Sequence, residues 1–233
     1  VVPRPGYQAK YFELAAQHVH PLIDAKNAAR EFFDLMNKNS NAHFALVTFN
    51  NVVGSASTST QNDSNIATNF PAGGIGIFPL PAILLKKLEA QTNFDEVKGA
   101  LTNLVASDGT NIGGSCDRAI EMFTNESRPN AKKAVIVFTD GEPTVGGPLS
   151  GDPEQNCILA AQKARTRGIA VYTVGLAQDP SQLALQRRIL GDDTPQGMAK
   201  IAGNGSKFFP VTNAANLRSA FASIARQLSQ LVE

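Results

Sequence analysis

The chain has 233 residues, 42% apolar and 18% charged, with a formal net charge of +1. This is enough for one large domain that builds its core without a metal or disulfide. The near-zero charge and lack of a basic stripe argue against nucleic acid as a partner. No apolar run approaches the ~20 residues that cross a bilayer. The opening Val1-Val2-Pro3-Arg4-Pro5-Gly6 has no apolar segment of signal-peptide length. Any targeting signal or membrane anchor is therefore expected outside this sequence.

In chain order, Leu22, Ala25, Ala29, Phe32, Phe33 and Met36 recur at three- and four-residue steps and predict an amphipathic helix. Pro21 suits its first turn, where a missing N–H costs nothing. Phe44–Phe49 is a short run of strand formers, and Val52-Val53 reads as the start of an edge strand. Residues 54–81 are rich in Ser, Thr, Asn, Gly and Pro and read as a long surface excursion, a candidate for partner contacts. Gly73-Gly74-Ile75-Gly76 inside it is no phosphate loop, since it follows no strand and opens no helix.

Helices are predicted over Leu84–Ala90 and Phe94–Ala106, then a turn at Ser107–Thr110, then a helix carrying Ile112, Ala119, Ile120 and Phe123. Ala134–Phe138 is a continuous apolar run, as a parallel strand covered on both faces requires. A Gly- and Pro-rich loop follows to Pro153. A helix over Glu154–Arg167 is stopped by Gly168, and a second apolar strand covers Ala170–Leu176. A polar loop, a helix near Pro195–Ala202, a strand at Lys207–Val211 and a final helix complete the chain. Leu217, Phe221, Ile224, Leu228 and Leu231 mark that last helix at steps of four, three, four and three. Alternating strands and helices specify an α/β fold with a doubly wound, mostly parallel sheet between two helical layers.

In such sheets ligands bind beyond the carboxyl ends of the strands. Thr139-Asp140-Gly141-Glu142-Pro143 stands there, and Asp108-Gly109-Thr110-Asn111-Ile112-Gly113-Gly114 leads into the preceding helix. With Asp24–Ala29, Phe44–Phe49, Gly168–Leu176 and the final strand and helix, they resemble a von Willebrand factor type A domain over most of the chain. Among its subgroups the sequence is most similar to bacterial versions attached to Tad-type pilus assembly proteins.

The resemblance implies a Rossmann-like, three-layer α/β/α domain over residues 1–233. It implies a binding or adhesion module rather than an enzyme, exported to the periplasm or cell surface. The family holds Mg²⁺ or Mn²⁺ at a metal-ion-dependent adhesion site built from a DxSxS motif, a threonine and an aspartate. Thr110 and Asp140 match the last two. A hard cation of this kind takes about six oxygens and keeps several waters. An open position then accepts an acidic side chain from a protein partner.

DxSxS occurs nowhere in the sequence, and neither does the central first strand that precedes it. A sheet without its middle strand leaves buried ladder groups unpaired, at ~1–3 kcal/mol each. The strand is therefore expected from preceding residues or another chain. The membrane is reached only through an anchor outside this sequence.

Plainer readings stand beside these. Asp-Gly after a strand is by itself a turn, and Thr110 could serve as a helix cap. His18, His20 and His43 fall at no metal spacing. Without its metal the domain would be a structural subunit. A Rossmann-like enzyme is the third reading, for which no nucleotide fingerprint or nucleophile elbow speaks. Cys116 and Cys157 match no zinc spacing and read either as small core residues or as a disulfide. Two successive right-handed crossovers put their helices on one sheet face, near its upper rim, where a bond between them is geometrically open.

Overall fold

The computed structural model describes residues 22–36, 43–47, 49, 86–87, 101, 109–126 and 130–230. Three parallel strands form the main sheet: β3 (Ala134–Thr139), β4 (Ala170–Leu176) and β5 (Lys207–Val211), in the order β3-β4-β5. Ala134 stands opposite Ala170, and Tyr172 opposite Lys207. A separate antiparallel pair joins β1 (His43–Phe44) to β2 (Lys86–Lys87).

Helices cover both faces, so the expected three-layer, doubly wound α/β fold is present. On one face α1 (Leu22–Met36) and α6 (Ala214–Gln230) pack together. Phe32, Phe33, Leu217, Phe221 and Ile224 meet Tyr172, Val174 and Leu176 of β4 there. The Phe32 and Phe221 rings lie 5.8 Å apart, and Glu31 pairs with Arg218 at 3.2 Å. On the other face α2 (Ile112–Glu126) and α3 (Pro153–Thr166) pack against each other and against Val135, Val137 and Val171. Also described are α4 (Pro180–Leu190) and the short α5 (Met198–Ala202).

Every residue of β4 is buried, because strands flank it on both sides and helices cover both faces. The expectation of equal cover fails for β3. Val135, Val137 and Thr139 are buried, whereas Ala134, Ile136 and Phe138 are only half-buried. Among the described residues β3 is paired on one side alone, by β4.

Local chemistry accounts for the ends of the elements. Asp152 caps α3, its Oδ1 accepting from the Gln155 amide at 2.6 Å, with Pro153 in the first turn. Gly168, at φ +66°, closes it as anticipated. In α1 the apolar stripe buries Ala25, Phe32, Phe33 and Met36, joined by Lys26 and Ala28.

Three expectations need correction. Lys86-Lys87, placed in a helix over Leu84–Ala90, is extended, because it pairs with His43–Phe44 and that tertiary pairing overrides the helix propensity of its Leu and Lys neighbours. The strand expected over Phe44–Phe49 is confined to His43–Phe44, with an isolated bridge at Phe49. Helix α4, read as polar loop, is capped by Asp179, whose Oδ1 accepts from the Ser181 and Gln182 amides. Leu101, within the helix expected over Phe94–Ala106, is helical and buried. Val52-Val53, the 54–81 excursion, His18, His20 and Leu231 lie outside the described residues.

Candidate functional site at the carboxyl edge of the sheet

β3 ends at Thr139, and the chain leaves the sheet through a side-chain lock. The Thr139 hydroxyl accepts from the Gly141 amide at 3.1 Å and lies 3.2 Å from the Gly141 carbonyl, to which it donates. This tight turn places Asp140 outside the core, exposed, at the carboxyl end of the strand.

Thr110 reaches the same place from the other side. Gly109, at φ +81°, turns the chain just before α2, a conformation that L side chains rarely adopt. The Thr110 carbonyl accepts from the amides of Thr144 at 3.0 Å and Val145 at 3.4 Å. The Thr110 amide donates to the Thr144 hydroxyl at 2.8 Å. These three bonds clamp the loop before α2 onto the loop after β3. The Thr110 side chain turns toward the Asp140–Gly141 turn: a Cβ placed on Gly141 would stand 3.4 Å from Thr110 Oγ1. Thr110 and Asp140, remote in sequence, thus sit on two loops bound to each other.

The reading of Thr110 as a helix cap is not what the structure shows. Asn111 caps α2, its Oδ1 accepting from the Gly114 amide at 2.9 Å, which leaves the Thr110 hydroxyl to face Gly141. The preference for Asn at N-caps was the available signal. Thr144 is the residue that sequence reasoning missed. It holds the two loops in register, yet nothing in its local pattern distinguishes it from an ordinary loop threonine.

Behind this edge α2 and α3 meet at close range. A Cβ on Gly113 would stand 2.4 Å from Asn156 Nδ2 and 2.7 Å from the Cys157 amide nitrogen. Fully buried Asn156 fits between Gly113 and Gly147, and its Oδ1 accepts from the Leu149 amide at 3.3 Å. The loop after β3 is therefore held at Thr110 and again at Asn156. Cys116 and Cys157, both buried free thiols, belong to this helix interface. Burial above all pushes each thiol up to about 12. Lower on the interface Lys163 pairs with buried Asp117 and, at 3.5 Å, with Glu121.

For a divalent cation, Thr110 and Asp140 are donors of the right kind, a hydroxyl and a carboxylate. Among the described residues no three His, Cys, Asp or Glu side chains converge. The pair alone would supply two of the about six oxygens that such a cation takes. Within those residues no helix is long and apolar enough to cross a membrane.

The sequence profile of the von Willebrand factor type A domain matches residues 83–223. No curated protein matches the sequence significantly. Among solved structures, the chain is similar to the pilus adhesin SpaC from Lactobacillus rhamnosus GG in its open conformation. The TM-score is 0.58 at 15% identity, over 89% of this chain and 28% of the adhesin. The PilB minor pilin of Streptococcus sanguinis gives a TM-score of 0.60 at 15% identity, over 90% of this chain and 54% of the pilin. The vWF domain of the type V pili tip protein Mfa5 from Porphyromonas gingivalis gives 0.59 at 14% identity, over 91% and 89%. The chain thus spans well under two thirds of the first two proteins but nearly all of the third domain. At these identities the likeness is one of fold.

Proposed function

Because the chain belongs to the von Willebrand factor type A domain family, we propose that it is a protein-binding, adhesive module of a cell-surface or pilus-related assembly that works outside the cytoplasm. In this reading residues 1–233 form one domain, and its contact surface is the carboxyl edge of the sheet. The observation that carries it is the clamp between Thr110 and Thr144, which holds a hydroxyl and an exposed carboxylate on adjoining loops at that edge. The pilus adhesin, minor pilin and pilus-tip proteins of the same fold support the assembly context.

Thr110 and Asp140 would hold Mg²⁺ or Mn²⁺ in part. When bound, such a cation would supply positive charge that attracts an acidic side chain of a protein partner. The chain's own residues orient it: Thr139 sets the Asp140 turn, and Thr144 sets Thr110. The reading is one of binding rather than catalysis.

The experiment is a Mn²⁺ titration followed by electron paramagnetic resonance. The wild type is compared with Asp140→Ala and Thr110→Val, each checked for native circular dichroism. Saturable binding that both substitutions weaken supports the proposal. Equal binding by all three proteins, or none by the wild type, moves the metal-free structural subunit ahead.

A further inference from the structure

We propose that Cys116 and Cys157, unbonded in this structure, close into an intramolecular disulfide that staples α2 to α3 behind the carboxyl edge of the sheet. Helix axes usually lie 8–10 Å apart, and a disulfide needs Cα atoms within roughly 7 Å. The glycine at 113 narrows that separation at Cys157. With no side chain there, α2 approaches α3 until a Cβ would stand 2.6–2.7 Å from the backbone atoms of Asn156 and Cys157. Cys157 therefore abuts the first turn of α2 at Gly113. Cys116 lies three residues on, hence one turn further along the same helix face. Both cysteines are 1% exposed and share one apolar cluster. Charge on Cys157 is, after burial, the next cause that raises the Cys116 thiol.

The bond needs an external disulfide as oxidant, such as glutathione disulfide or the oxidised dithiol of an exchange enzyme. One cysteine thiolate attacks it, forming a mixed disulfide and releasing one thiolate. The second cysteine thiolate then attacks the protein sulfur of that mixed disulfide and releases the other. Two electrons pass from the cysteines to the external disulfide, whose two thiolates take up the two protons that the cysteines gave to solvent. Thiols this buried and this weakly acidic react slowly once the helices have packed. Closure therefore belongs to folding in an oxidising compartment, and the finished bond is shielded from reductant.

The test is to refold the full chain from the reduced, denatured state with a glutathione redox pair. The product is then denatured with excess N-ethylmaleimide and its intact mass measured. A monomer that takes up no maleimide, and two equivalents after reduction, is the expected result. The oxidised protein should also melt on the order of 10 °C above its reduced form, and Cys116→Ala/Cys157→Ala should melt at one temperature with or without reductant. Two maleimides on the refolded, unreduced monomer would overturn the proposal. So would disulfide-linked dimers in place of the monomer. Neither outcome bears on the cation site, which the Asp140 and Thr110 variants test separately.

Discussion

Gly113→Ala is the sharpest test of how α2 and α3 meet. In an exposed helix the change would stabilise, because alanine exceeds glycine in helix propensity by about 1 kcal/mol. Here the new methyl would stand 2.4 Å from Asn156 Nδ2, 2.6 Å from Asn156 C and 2.7 Å from Cys157 N. Two of those three atoms are backbone of the packed neighbour helix, so no rotamer change relieves them. Overpacking of a tight core costs ~1–3 kcal/mol, and contacts this short with backbone belong at the upper end. The net effect is a loss of roughly 2 kcal/mol, or about 4–8 °C in Tm for a domain of this size. Urea unfolding followed by far-UV circular dichroism, with the slope unchanged, measures it. Gly151→Ala is the control: nothing lies within 4 Å of a Cβ there, and it should be neutral or stabilising by up to ~1 kcal/mol. A Gly113→Ala protein as stable as the wild type would refute the close approach, and with it the geometric basis for the Cys116–Cys157 bond.

Reducing that bond releases a loop of about 40 residues and should cost on the order of 4 kcal/mol on the chain-entropy estimate. In the reduced, folded protein both thiols, pushed up to about 12 by burial, should resist thiol reagents at pH 8 until denaturant is added. Lys163→Met strands the buried Asp117 carboxylate and should cost about 2–3 kcal/mol in urea unfolding, at the low end for a buried pair because Lys163 is partly exposed; Lys163→Met/Asp117→Leu should recover most of it. Glu154 receives both Arg188 nitrogens, at 2.5 and 2.7 Å, and that bond holds its carboxyl below the usual range. Its contribution is therefore present above the unfolded-state pKa and is lost as pH falls through the lower folded value. Both side chains are about half exposed, so Glu154→Gln should cost only ~0.3–1 kcal/mol at pH 7, with the gap to wild type closing in acid.

Much of the fold is legible in the sequence because its central strands are apolar throughout. Ala170–Leu176 has no alternation and is buried on both faces, and the 217, 221, 224, 228 stripe of α6 meets the sheet as its spacing demands. Helix α4 is obscured by Gln186, a polar residue on its buried face beside Ile189 and Leu190, although Asp179-Pro180 is a helix-start signal. Lys86-Lys87 shows the opposite failure: local propensity reads helix, and pairing with a strand more than 40 residues away decides otherwise.

At the site, Thr110 and Asp140 stand out because carboxyl ends of parallel strands are where ligands gather. Their mutual lock depends on main-chain bonds to Thr144, and main-chain donors leave no trace in residue type. Asn156 is similar. Its fit between Gly113 and Gly147 is visible only once two helices and a loop have been brought together.

The most direct test of cation binding at the carboxyl edge is paramagnetic broadening of amide NMR signals by substoichiometric Mn²⁺. If Thr110 and Asp140 hold the ion, the amides of Thr110, Asn111, Asp140 and Gly141 should broaden first. Excess Mg²⁺ should restore them, and Asp140→Ala should abolish the effect. Broadening centred elsewhere, or none at these four amides, would contradict a cation site at this edge.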